Sequence, residues 1–138
     1  MNKAELESLS SIRIREAIKL LENDEFNGAY YLAGYSVECA LKACICKQVK
    51  EFDFPNKKLA QDSHTHNLTD LVGVAGLKQR LKKEEQDSET FKLNWAVVKD
   101  WKETSRYETN IEKTRAIDLI EAITDKQSGI LQWLKKFW

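Results

Sequence analysis

Apolar positions recur at helical spacing along almost the whole chain. Between residues 3 and 22, Leu6, Leu9, Ile14, Ala17, Ile18 and Leu21 alternate with Lys3, Glu7, Arg13, Arg15, Glu16 and Lys19, which predicts an amphipathic first helix. Asn23 and Asp24 offer turn and N-cap chemistry, so a second helix is expected to start near Glu25. So short a connection makes the two helices antiparallel neighbours. From Asn27 to Gln48 the pattern changes, because Ala29, Tyr30, Leu32, Ala33, Val37, Ala40, Leu41, Ala43, Cys44 and Ile45 cover nearly every face. A helix apolar all round has to be buried on most sides, so this stretch is expected to be the central post of a bundle. Its small residues, among them Gly28, Gly34, Ser36 and Cys39, let other backbones close in. Only Glu38 and Lys42 interrupt it, at i and i+4 with the acid first, a spacing that lets them pair.

Residues 51–65, which hold the only proline, read as an irregular stretch with Phe52 and Phe54 tucked beneath it. A short helix carrying Leu68, Leu71 and Val72 is expected next, capped by Thr65 or Asn67 and weakened at its far end by Gly73 and Gly76. Gln79 to Gln86 is densely charged and reads as a solvated helical face or a mobile loop, anchored by Leu77 and Leu81. A further helix is expected from Ser88 to about Glu103 on Phe91, Trp95, Val98 and Trp101. After the interruption TSRYETN, Thr109 and Glu112 have capping-box spacing. A long last helix should follow on Ile117, Ile120, Ile123, Ile130 and Leu134, bent at Gly129 and ending in the aromatic tail Trp133, Phe137 and Trp138.

Composition narrows this to an all-α chain. Among 138 residues there are five Gly and one Pro, too little turn chemistry for a many-stranded sheet. Neither a repeat nor a linker is visible, which favours one domain over residues 1–138. Lys plus Arg and Asp plus Glu both number 22, which argues against a broad basic nucleic-acid surface but leaves room for a local basic pocket. The charged, amphipathic opening is unlike a secretory signal, and the longest uncharged run, twelve residues from Phe26, is too short to span a bilayer. All three cysteines fall within the central helix and read as small core residues in a reducing compartment, so a cytoplasmic location is expected. Cys44, Cys46, His64 and His66 are the residue types of a zinc site. On a helix, however, i and i+2 point to different faces, so no metal or other cofactor is expected.

The helix from Ala29 to Ile45, the HNLTDL segment from His66 to Leu71, the Ser105–Tyr107 step and the closing amphipathic helix together resemble the HEPN domains. These are small helical bundles often encoded beside minimal nucleotidyltransferases. The matching positions are Ala33, Val37, Glu38, Leu41, Lys42, Ala43, His66, Leu68, Leu71, Arg106 and Tyr107. The resemblance implies an up-and-down bundle of four to five helices, and as partner a nucleotidyltransferase or an antitoxin. HEPN ribonucleases carry an Arg followed by a His about five to seven positions later, and the His moves the 2′-hydroxyl proton. No Arg of this chain has a His at that distance. The expected function is therefore a non-catalytic binding module for nucleotide or RNA, with an RNA-cleaving enzyme built around Arg106 as the runner-up and a purely structural interaction module as the third reading.

The candidate ligand-binding residues are Arg106, Tyr107, His66, Lys42 and Glu38. Arg supplies a fork of donors, Lys a point charge, and Tyr a hydroxyl and a stacking face. Each also has a purely structural alternative: an internal Glu38–Lys42 pair, a His66 bonded to a neighbouring backbone group, an Arg106 bound to Glu38 or a carbonyl. The aromatic tail is expected to leave an apolar patch that a second copy covers, making a homodimer.

Overall fold

The computed structural model describes residues 1–52 and 57–138, the side chains of 50–52 excepted. Among the described residues there are eight α-helices, one 3₁₀ turn and no strand. The helices are α1 (Lys3–Glu22), α2 (Phe26–Phe52), α3 (Lys57–Asp62), α4 (Leu68–Val74), α5 (Lys78–Asp87) and α6 (Glu89–Val98). The 3₁₀ turn Glu103–Tyr107 follows, then α7 (Lys113–Thr124) and α8 (Ile130–Leu134). Among the described residues, no helix is long and apolar enough to cross a membrane.

As its all-round apolar pattern requires, α2 is the central post, packed by α1, α4, the 3₁₀ turn, α7 and α8. Ala29, Ala33, Val37, Ala40 and Leu41 are completely buried in one core with Leu71, Leu119, Ile123, Ile130 and Leu134. Along α1 the buried face is Leu6, Ser10 and Ala17, and Ile18 lies on the exposed side. The buried Ser10 hydroxyl donates to the carbonyl of Ser36 at 2.7 Å, which ties α1 to the post.

Asp24 turns out to end α1 instead of starting α2. It is left-handed at φ 61°, donates its N–H to Leu21, and Glu25 donates to Leu20, so the two close a Schellman motif. The same motif closes α4, where Gly76 at φ 72° supplies the left-handed residue. The charged stretch after it is the solvated helix α5, anchored by Leu77 and Leu81 as expected. Ser88 then caps α6 by accepting from the Phe91 N–H at 3.1 Å.

Four further expectations are corrected. Within the stretch read as irregular, α2 runs on to Phe52 and α3 forms; a cluster of Phe52 and Phe54 lies outside the described residues. Helix α6 stops at Val98, and Trp101 reaches the core from the turn beyond it because Gly34 leaves room for its ring. The capping box is not made: Glu112 caps α7 without a side-chain bond, while Asn27 holds the approaching loop by accepting from Ile111 and donating to Thr109. The long last helix is two helices, with Ile117 only half-buried and Ala116 and Leu119 carrying the inner face. The break lies at Asp125, whose carboxylate accepts the N–H groups of Gln127 and Ser128 and so takes them from the helix ladder.

Candidate functional site

The Glu38 and Lys42 side chains stand one turn apart on the face of α2 that meets α4 and the 3₁₀ turn. Asn67 caps α4 by accepting from Asp70 at 2.9 Å, and Leu68 and Leu71 bury the helix in the core. That docking sets His66, one residue before the cap, against Glu38. The 3₁₀ turn is fixed by Trp101, whose ring lies on Gly34 and 6.1 Å from the ring of Tyr31. Residues three apart eclipse in a 3₁₀ turn, so Glu103 and Arg106 share one ridge.

A chain of alternating acidic and basic side chains results. Glu38, with 3% of its side chain exposed, lies 3.3 Å from Lys42 Nζ and 3.1 Å from His66 Nδ1. A carboxylate only accepts, so Nδ1 carries the proton of that bond. On its other side His66 Nε2 lies 3.6 Å from Glu103, and Glu103 is 3.0 Å from Arg106. The guanidinium stacks on the Tyr107 ring at 4.8 Å. Its hydrogen bond to Tyr107, with lesser contributions from Glu103 and Tyr31, raises the Arg106 pKa above the ordinary arginine value.

The five residues expected from sequence are thus in one neighbourhood, but Arg106 is held by Glu103 and not by Glu38. Sequence reasoning missed Glu103, which joins the His66 half to the Arg106 half, and Tyr31, which lies beside Arg106. The signal for Glu103 was its i, i+3 spacing to Arg106, hidden by placing it at the end of a helix. His64 is exposed and takes no part, and Cys39 and Cys44 are buried free thiols. Among the described residues, no three His, Cys, Asp or Glu side chains gather as metal ligands would.

The family model described as HEPN domain matches residues 10–137, nearly the whole chain. No curated protein and no solved structure matches it significantly.

Proposed function

The chain belongs to the HEPN domain family, and on that footing we propose that it is a non-catalytic binding module for the phosphate of a nucleotide or RNA. It would serve as partner to a nucleotidyltransferase or within a toxin–antitoxin pair, the setting implied by its resemblance to HEPN proteins. The observation that carries the reading is Arg106, which has one edge on Glu103, one face on Tyr107, and about half its side chain open to solvent. A guanidinium has five N–H donors in a fork, so donors remain for a phosphate after Glu103 is served. Tyr107, 71% exposed, offers its ring to a base. Calorimetry with ATP, a dinucleotide and a short RNA should detect binding that Arg106→Ala weakens about tenfold or more, as loss of a charge-assisted contact requires. Binding that is absent, or indifferent to the substitution, removes the proposal.

One observation favours the ribonuclease as a second reading. His66 has Nδ1 against the buried Glu38 and Nε2 turned away from α2, the carboxylate–imidazole arrangement that orients a histidine for proton transfer. Structured RNA incubated without metal is expected to stay intact. Cleavage abolished by both His66→Ala and Arg106→Ala in folded protein would install the enzyme instead.

A homodimer would need a different patch from the one expected. Trp133 is buried against Phe91 and Phe137, at 5.3 and 5.1 Å between ring centroids, so the tail completes the chain's own core. Two of the apolar side chains left open, Leu93 and Val97, stand one turn apart on α6.

A further inference from the structure

The other ridge of the 3₁₀ turn faces a different space. Lys102 and Ser105 are eclipsed there, and with Lys99, Thr104, Glu108 and Arg115 they line a cavity of about 440 Å³. Pockets of roughly 300–1,000 Å³ hold small ligands, so the space is large enough for a phosphate with a nucleoside attached. Three cations and two carboxylates, Asp100 and Glu108, meet at it. Glu108 is taken by Arg115 at 2.8 Å, and Arg115 is steadied on the Tyr30 ring at 4.5 Å. Lys99 and Lys102, by contrast, have no ion-pair partner among the described residues.

Two further features select for an anion. Ser105 is 98% buried, yet its hydroxyl has no hydrogen-bond partner among the described residues. A buried hydroxyl left unpaired costs about 1–3 kcal/mol, which a ligand acceptor would remove. Arg115 reaches the cavity from the first turn of α7, where Glu112 supplies no side-chain acceptor, so the cation is carried by the uncapped positive end of a twelve-residue helix.

We propose that this cavity, lined by Lys99, Lys102, Ser105 and Arg115, is a second anion site that takes a phosphate group. Its residues are separate from the Arg106 network, and the site stands whether or not Arg106 binds a ligand. A phosphate brings several acceptor oxygens and up to two negative charges, matching two unpaired ammoniums and the hydroxyls of Thr104 and Ser105. A carboxylate would leave most of these donors unused. The same phosphate chemistry arrives on inorganic phosphate, on a mononucleotide or on an RNA strand.

The test titrates isotopically labelled protein with inorganic phosphate, AMP and a single-stranded oligoribonucleotide, with acetate as a control, and follows the amide resonances. Phosphate should shift residues 99–105 and 113–115, and the Lys99→Ala/Lys102→Ala double variant should bind it at least tenfold more weakly. Shifts at residues 99–102 and 113–115 that saturate independently of any shift at Arg106 and Tyr107 separate this site from the network on the other ridge. Ser105→Ala, which removes one buried hydroxyl, should weaken phosphate binding while the rest of the spectrum stays native. AMP tighter than phosphate identifies a nucleotide as the source. Tighter oligonucleotide binding, with a salt dependence that the double variant flattens by about 1.4 units of slope, identifies RNA. Equal binding of acetate, no phosphate shifts up to about 10 mM, or a double variant that binds like wild type would each overturn the proposal.

Discussion

Taking a carboxylate out of water costs several kcal/mol unless partners replace the solvent it loses. Glu38 has two such partners in Lys42 and His66, both of them partly open to solvent. That asymmetry sets the expected cost of its removal. In Glu38→Ala the two partners can recover water, so the loss should be about 1–3 kcal/mol, below what stranding a buried charge would cost. Glu38→Gln keeps an acceptor for His66 and should lose less than the alanine variant. Urea denaturation of both variants decides it, and equal losses would mean that the bond to His66 contributes nothing. The same carboxylate reaches the Cys39 thiol. Burial first, and Glu38 second, push Cys39 up to about 11; burial pushes Cys44 up to about 12. A thiol whose folded pKa is raised stabilises the fold at pH below its unfolded value of about 8.5. That contribution is lost as pH climbs from there through the folded values. Stability should therefore decline between about pH 9 and 12. At pH 8 a thiol reagent should label the half-buried Cys46 alone, and all three cysteines after unfolding. Rapid native labelling of Cys39 or Cys44 would contradict this.

Among the elements, two glycines make opposite predictions. A Cβ on Gly34 would lie 2.2 Å from the Trp101 ring, the contact that seats the 3₁₀ turn on α2. Gly34→Ala should cost about 1–3 kcal/mol or more by overpacking, and it should also weaken any ligand held by Arg106. A Cβ on Gly73, in the last turn of α4, would meet nothing within 4 Å. Gly73→Ala should stabilise by about 0.4–1 kcal/mol, because the unfolded chain loses freedom and the helix gains propensity. Thermal midpoints that move in the same direction would refute the pair. These positions also mark how far the sequence could be read. The post α2 was legible because burial on every side leaves an unmistakable composition, and α4 and α5 because their caps and anchors are local. Asp24 was misread since aspartate suits either end of a helix. Ile117 to Leu134 fits one helical period, and only the hydrogen bonds of Asp125 show that it is two helices. Arg106 could be singled out, but not its partner. Glu103 meets His66 across 37 positions of chain, and Asn27 holds the loop before α7 from 84 positions away. No periodicity encodes such contacts.

For the whole molecule, equal numbers of acidic and basic residues leave no net charge to keep copies apart. Association then depends on which apolar surface the fold leaves open. The aromatic tail is spent on the core, with Phe137 also covered by the guanidinium of Arg80 at 5.0 Å. On α6, Leu93 is 60% exposed and Val97 39%, with exposed Ala96 beside them. A stripe of this kind pairs well with its own copy across a two-fold axis, since each side chain meets its equivalent or its neighbour. Two large side chains are nevertheless few for an interface. A stable dimer buries at least about 1,000 Å² in all, so polar neighbours such as Lys92 and Glu89 would have to join. The expected dimer is therefore weak and dependent on concentration. Light scattering should rise from 16.0 kDa toward twice that mass as the protein is concentrated through the micromolar range. The double variant Leu93→Asp/Val97→Asp places like charges opposite one another at the axis and should hold the mass at 16.0 kDa. Both side chains are already exposed, so the variant should unfold at the same urea concentration as a monomeric wild type. A wild type that stays at 16.0 kDa throughout would remove the dimer, and a dimer that tolerates both aspartates would put its interface on another face.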